Sequence, residues 1–114
     1  MKTTLSLKKN YEFRRLYTRG KNYASHLVVI YCGKNRRAEN RLGITVGAKV
    51  GKAVVRNRVR RRISEIYRLN EDRFKTGWDI VVVARARSAE ASYRDIEADL
   101  LKSAERLGIL RTQL

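Results

Sequence analysis

Between Asn10 and Arg19 the apolar residues return at Phe13, Leu16 and Tyr17. That i, i+3, i+4 spacing marks one face of a helix, with Asn10 placed to cap the segment and Gly20 to end it. The period then changes. Leu27 to Gly33 is apolar and β-branched, bounded by Ser25-His26 and by the polar stretch Lys34 to Arg41, and Leu42-Gly43-Ile44-Thr45-Val46 alternates. These segments predict two antiparallel strands joined by a basic loop, with a short further strand near 21–24.

Val55, Val59, Ile63, Ile66 and Tyr67 form one stripe on a second predicted helix, Lys52 to Leu69, while Arg56, Asn57, Arg60, Arg61, Ser64 and Arg68 occupy the opposite arc. Asp79 to Ala84 is a continuous apolar run of strand length, the mark of a central strand buried on both faces. Ser92-Tyr93-Arg94-Asp95 resembles a capping box with an aspartate variant, and Tyr93, Ile96, Leu100, Ala104 and Leu107 form the inner stripe of a last helix. The order is α-β-β-α-β-α, or α-β-β-β-α-β-α with the short strand. No proline, internal repeat or low-complexity linker interrupts it, so one α/β domain is expected over residues 1–114.

Charge narrows the partner. The chain carries 27 basic and 11 acidic residues, a formal net charge of +16, and 18 of the basic residues are arginine, whose planar fork suits phosphate oxygens and base edges. Residues 88–114 hold four basic and five acidic side chains, which leaves +17 on residues 1–87. A polyanion facing the first three quarters of the chain is expected, with the C-terminal segment turned away from it. No apolar run of membrane-spanning length occurs and Met1-Lys2-Thr3-Thr4 leads into charge, so no membrane role and a cytoplasmic location are expected. Cys32 stands alone and suits a small reduced core residue.

The densest signal lies between Lys52 and Arg62, with six basic residues and no acid. Like charges this close on a helix repel at each i, i+4 spacing. A phosphate backbone would neutralise them and release its counterions, whereas a merely solvated face usually mixes both signs. An enzyme acting alone finds little support. His26 is the lone histidine, the 11 acids form no close cluster of the two-metal nuclease kind, and Glu71-Asp72 and Asp95, Glu97 and Asp99 read as solvated faces. Gly47, Gly51 and Lys52 lack the spacing of a phosphate loop. Neither catalytic nor metal-ligating residues are expected.

The run Gly-Lys-Ala-Val-Val-Arg-Asn-Arg-Val-Arg-Arg at 51–61 resembles the arginine-asparagine-arginine signature of the bacterial ribonuclease P protein family. Leu-Lys-Lys-Asn-Tyr-Glu-Phe at 7–13, Leu-Gly-Ile-Thr-Val at 42–46 and Asp-Ile-Val-Val-Val-Ala-Arg at 79–85 are similar to other segments of that family, in its order and spacing. Ala48 and Ser64 stand where the family often has basic residues.

The resemblance implies an α+β sandwich of a four-stranded sheet and three helices, with a left-handed βαβ crossover where sequence alone predicts the usual right-handed one. It implies the subunit of a ribonucleoprotein endoribonuclease that removes the 5′ leader of precursor tRNA. Catalysis would lie with an RNA subunit and Mg²⁺, the ion bound mainly by that RNA and the substrate, and the protein would act as a monomer within the complex. Lys49, Lys52, Arg56, Asn57, Arg58, Arg60 and Arg61 would contact the catalytic RNA. Asn57 also suits local backbone bonding near the helix start, and Arg58 and Arg62, at the edge of the apolar stripe, suit packing of their stems on the core.

A cleft with Phe13, Tyr17 and Tyr31 as its floor, and Arg14 beside them, would receive the single-stranded leader, with Arg15, Arg19 and Lys21 adding charge. Stacking on aromatic faces suits an unpaired strand of any sequence. The same three rings also suit a plain core. A ribosomal or other structural RNA-binding protein would need the same charge without the cleft, and an autonomous basic endonuclease is the enzymatic alternative.

Overall fold

The computed structural model describes residues 2–111; Met1 and residues 112–114 lie outside them. The elements are β1 (Leu5–Ser6), α1 (Asn10–Arg19), β2 (Lys21–Ala24), β3 (Val28–Lys34), β4 (Arg41–Val46), α2 (Ala53–Asn70), β5 (Trp78–Ala84) and α3 (Tyr93–Arg106), with single 3₁₀ turns at Ala48–Val50, Glu71–Arg73 and Ala86–Ala89. The sheet order is β1-β4-β5-β3-β2.

The run at 79–84 does form the central strand, and Ile80, Val81 and Val82 are each no more than 1% exposed. It pairs antiparallel with β3 and parallel with β4. The strands at 27–33 and 42–46 therefore run in opposite directions but do not pair, because β5 lies between them. A direct β3–β4 pair would leave the most apolar strand at an edge, where one row of its backbone groups would lack partners. The sheet also has five strands where four were expected. The extra one, β1, pairs parallel with β4 in the register Leu5↔Arg41, and two residues are too few to show a period.

β1 is held in place by a residue that the sequence places on a solvated surface. Glu71 is buried, and its carboxylate accepts hydrogen bonds from the backbone N–H groups of Lys2 (2.8 Å), Thr3 (3.3 Å) and Thr4 (3.0 Å). Burial disfavours the charged form, but the Thr4 side chain and these three N–H donors outweigh it and hold the carboxyl down at about 2. Thr4 Oγ1 also lies 2.8 Å from the Tyr67 hydroxyl.

Alternation along the strands gives the sheet two unlike faces. Val28, Ile30, Cys32, Leu42, Val46, Ile80, Val82 and Ala84 face α2 and α3, whose Val59, Ile63, Ile66, Ile96, Leu100 and Ala104 complete the main core. Cys32 is fully buried there, and burial raises its thiol pKa. The opposite face meets α1 and Leu7 just before it, in a small cluster of Leu7, Leu16 and Val81 with Phe13, Tyr31 and Val83 packed against it.

α1 starts one residue earlier than its cap was expected: Lys9 holds the cap position and Asn10 is already helical. A lysine cannot accept a hydrogen bond, so only half of a capping box forms, from the Lys9 N–H to Glu12 Oε1 at 3.3 Å. Gly20 ends the helix with ordinary φ; its need is for space, since a Cβ would lie 2.6 Å from the Leu16 carbonyl oxygen. On α3 the expected cap is present, Ser92 Oγ accepting from the Asp95 N–H at 3.1 Å.

Candidate nucleic-acid interface

α2 starts at the end of β4, after a 3₁₀ turn and Gly51, whose φ of 148° is open to glycine and strained for other residues. The cap residue, Lys52, offers no acceptor, and the first turn holds no acid. The helix dipole favours negative charge there, yet Lys52 and Arg56 add positive charge. Unsatisfied N–H groups beside cations are a combination that favours anions. Among the described residues the ion pairs are Arg37–Glu39, Arg41–Glu12, Arg41–Asp79 and Arg68–Glu65, so Lys49, Lys52 and the α2 arginines up to Arg62 have no carboxylate partner.

These side chains do not all point the same way. Asn57, Arg60 and Arg61 are exposed and Arg56 half-buried, and the Asn57 amide oxygen lies 3.5 Å from Arg60 Nη1. Asn57 thus makes a side-chain contact along the helix rather than a backbone one. Arg58 and Arg62 are half-buried and donate to the carbonyls of Ala89 and Ala91, each at 3.0 Å. They tie α2 to the segment between β5 and α3. Arg58, grouped by the resemblance with the RNA contacts, is thereby set apart from its neighbours.

The second surface lies along one flank of α1. Phe13, Tyr17 and Tyr31 form a chain of rings, with centroids 6.5 Å apart for Phe13–Tyr17 and 4.9 Å for the edge-on pair Tyr17–Tyr31. Tyr17 is 38% exposed, Phe13 and Tyr31 are half-buried, and the Tyr17 hydroxyl lies 3.2 Å from Thr45 Oγ1. Phe13 and Tyr17 thus serve as both core and surface and line an open groove, whereas Tyr31 packs against the small cluster on the sheet, edge-on to Tyr17, and does not line it. Asn10, Phe13, Arg14, Tyr17, Ile44 and Thr45 line it, and no carboxylate or histidine is among them.

At Thr45 the groove meets a second hollow lined by Lys49, Val83, Arg85 and Arg87, among others. Lys49 therefore sits between the aromatic groove and the start of α2. Arg85 and Arg87 escaped the sequence reading, although their position straight after the central strand was the available signal. Arg85 donates to the Ser25 carbonyl at 2.7 Å, and Arg87 Nη1 lies 2.8 Å from His26 Nδ1, which gives the lone histidine a partner. Of the four cations expected around the rings, only Arg14 lines the groove. Arg15 and Arg19 line a cavity on the other flank of α1, and Lys21 Nζ reaches the Leu107 carbonyl at 3.4 Å.

Comparison with known proteins is consistent across sequence and structure. The family described as Ribonuclease P matches residues 1–108. The Ribonuclease P protein component of Clostridium botulinum (strain Langeland) is 49% identical over 104 residues, covering 90% of this chain and 94% of its own length. The RNase P protein of Staphylococcus aureus superposes with a TM-score of 0.86 at 30% identity, covering 93% of this chain and 97% of that one. For the RNase P protein from Thermotoga maritima the TM-score is 0.81, again at 30% identity, over 89% and 96%.

Proposed function

Because the chain belongs to the ribonuclease P protein family, we propose that it uses its two basic surfaces on two RNAs: the exposed face of α2 on the catalytic RNA, and the groove beside α1 on the 5′ leader of precursor tRNA. The observation that carries this reading is the division of the chain's chemistry. The face of α2 offers unpaired cations and helix N–H groups without aromatic rings, which suits a folded RNA that shows its phosphates. The groove offers the rings of Phe13 and Tyr17 with one arginine, which suits an unpaired strand whose bases are free to stack.

In this role the protein breaks no bond. Arg56, Arg60 and Arg61 neutralise phosphates and so lower the repulsion between the two RNAs, while Phe13, Tyr17 and Arg14 hold the leader and Tyr31 braces Tyr17 edge-on. Lys49, Arg85 and Arg87 line the path between the two surfaces and screen the leader where it nears the catalytic RNA. Arg58 acts indirectly, by fixing α2 against the Ala89 carbonyl. Among the described residues no three His, Cys, Asp or Glu side chains come together as metal ligands. In the proposed role Mg²⁺ is held by the RNA and the substrate, and no step is routed through this chain.

The test is cleavage of precursor tRNA by purified chain, by a bacterial ribonuclease P RNA, and by the two together, at a Mg²⁺ concentration too low for the RNA alone. Cleavage by the mixture only is the expected result. Cleavage by nuclease-free protein alone, or no gain on adding it to the RNA, would overturn the reading.

A further inference from the structure

The flank of α1 that faces away from the aromatic groove holds a cavity of about 500 Å³. Five cations line it: Arg15 and Arg19 from α1, Lys34 from the end of β3, Arg36 from the loop that follows, and Arg41 from β4. Its two acids, Glu12 and Asp79, are already engaged. Arg41 grips Asp79 in a two-pronged pair, Nε to Oδ1 at 2.8 Å and Nη2 to Oδ2 at 2.7 Å, and its Nη1 pairs with Glu12. Arg15, Arg19, Lys34 and Arg36 have no carboxylate partner among the described residues. With one arginine set against two acids, the cavity keeps a charge of about +3.

The loop is shaped to present this charge. Asn35 accepts from the Arg37 N–H at 2.8 Å and donates to the Glu39 carbonyl at 3.1 Å and to Asp79 Oδ1 at 3.0 Å. It thereby ties the loop to the Arg41–Asp79 pair. Arg36 sits in the left-handed region, φ 59°, the lone non-glycine residue to do so among those described. Such a conformation is strained for a residue with a side chain and persists where its surroundings impose it.

We propose that this cavity is a second phosphate-binding site, taking the backbone of the catalytic RNA at a point separate from α2. The proposal rests on the reading of the chain as that RNA's partner. No aromatic residue lines the cavity itself, and the nearby rings of Tyr11 and Trp78 lie against Arg15 and Lys34. The cavity therefore favours a folded RNA, which presents its phosphates, over an unpaired leader, which needs faces to stack on. The cavity is also out of line with the groove. Arg41 and Thr45 lie on the same face of β4 but four residues apart, about 13 Å, with α1 crossing the sheet between them.

The experiment compares Arg15→Gln/Lys34→Gln/Arg36→Gln with wild type and with Arg60→Ala/Arg61→Ala, each as the full chain. Affinity for a bacterial ribonuclease P RNA is measured across a salt series, and holoenzyme affinity is measured for leader-bearing and mature tRNA. Each lost phosphate contact removes roughly 0.7–0.9 from the slope of log affinity against log salt, so the triple variant should flatten it by about 2 and leave leader discrimination unchanged. Arg36→Gln alone, which touches no helix, should remove about one contact. If Arg60→Ala/Arg61→Ala flattens the slope and the triple variant does not, the cavity proposal falls alone; if neither does, the reading of the α2 face falls with it. Lost leader discrimination, or an equal loss for both tRNAs with the RNA-subunit slope intact, would place the occupant on the substrate and overturn the proposal.

Discussion

Gly43 and Phe13 fit each other at the contact between β4 and α1: a Cβ at position 43 would lie 2.6 Å from both Cε1 and Cζ of the Phe13 ring. The glycine is thus a socket that lets the ring approach the sheet closely enough to share one groove with Tyr17. Gly43→Ala should push Phe13 outward and cost about 1–3 kcal/mol, the usual penalty of overpacking. It should also weaken leader binding by displacing Phe13, although no residue that faces the leader is itself replaced. A thermal melt with a holoenzyme binding assay checks both, and an unchanged melting temperature would show that the ring is not seated as described.

Tyr17 is the most exposed of the three rings, so it separates binding from folding most cleanly. Tyr17→Ala should lower holoenzyme affinity for leader-bearing precursor by up to about 1–3 kcal/mol through lost stacking, with a smaller loss of stability. Tyr17→Phe keeps the stacking face and loses only the 3.2 Å contact to Thr45, so its leader affinity should stay near wild type. Equal losses in the two variants would point to the hydroxyl instead of the ring.

The arginines of α2 should divide by direction. Arg60→Ala/Arg61→Ala should flatten the salt dependence of RNA-subunit binding and leave the melting temperature nearly unchanged. Arg58→Ala should do the reverse and destabilise the fold by about 1 kcal/mol, through loss of the bond to Ala89 and of its packed stem. Salt titrations and melts on the two variants decide it. A stable Arg58→Ala chain with a flattened slope would return that residue to the RNA face.

Much of this organisation is legible in the sequence because it follows from period. The stripes at Phe13–Leu16–Tyr17 and Val55–Val59–Ile63–Ile66 fix two helices, and the unbroken run at 79–84 fixes the centre of the sheet. What period cannot supply is pairing between distant segments. Nothing local shows that β5 enters between β3 and β4, or that the acids Glu12 and Asp79 meet across the sheet at Arg41. Glu71 reads as solvated because its partners are three backbone N–H groups, which carry no sequence signal. The two flanks of α1 are equally hidden, since Arg14 and Arg15 are adjacent in the chain yet line different cavities.

Glu71 gives the fold a defined acid limit. Its carboxyl is held at about 2, below the ordinary 4.5, so the unfolded chain takes up the proton more readily than the folded one. The stability from this group is complete above about pH 4.5 and is lost as pH falls toward 2. Glu71→Gln should cost about 1–3 kcal/mol at neutral pH by loosening Lys2–Thr4, and should lessen the fall of melting temperature between pH 4.5 and 2. If wild type and variant lose stability in parallel over that window, the clamp does not hold the N-terminal segment.

In the proposed role one small fold keeps two RNAs apart on chemically different surfaces, and holoenzyme affinity for precursor and for mature tRNA tests this most directly. Wild type should bind the leader-bearing substrate more tightly than mature tRNA. Tyr17→Ala should erase most of that difference at saturating protein, and Arg60→Ala/Arg61→Ala should preserve it once enough protein is added to restore assembly. If Tyr17→Ala, folded, discriminates as wild type does, or if the α2 variant loses discrimination at saturating protein, the division between the two surfaces is contradicted.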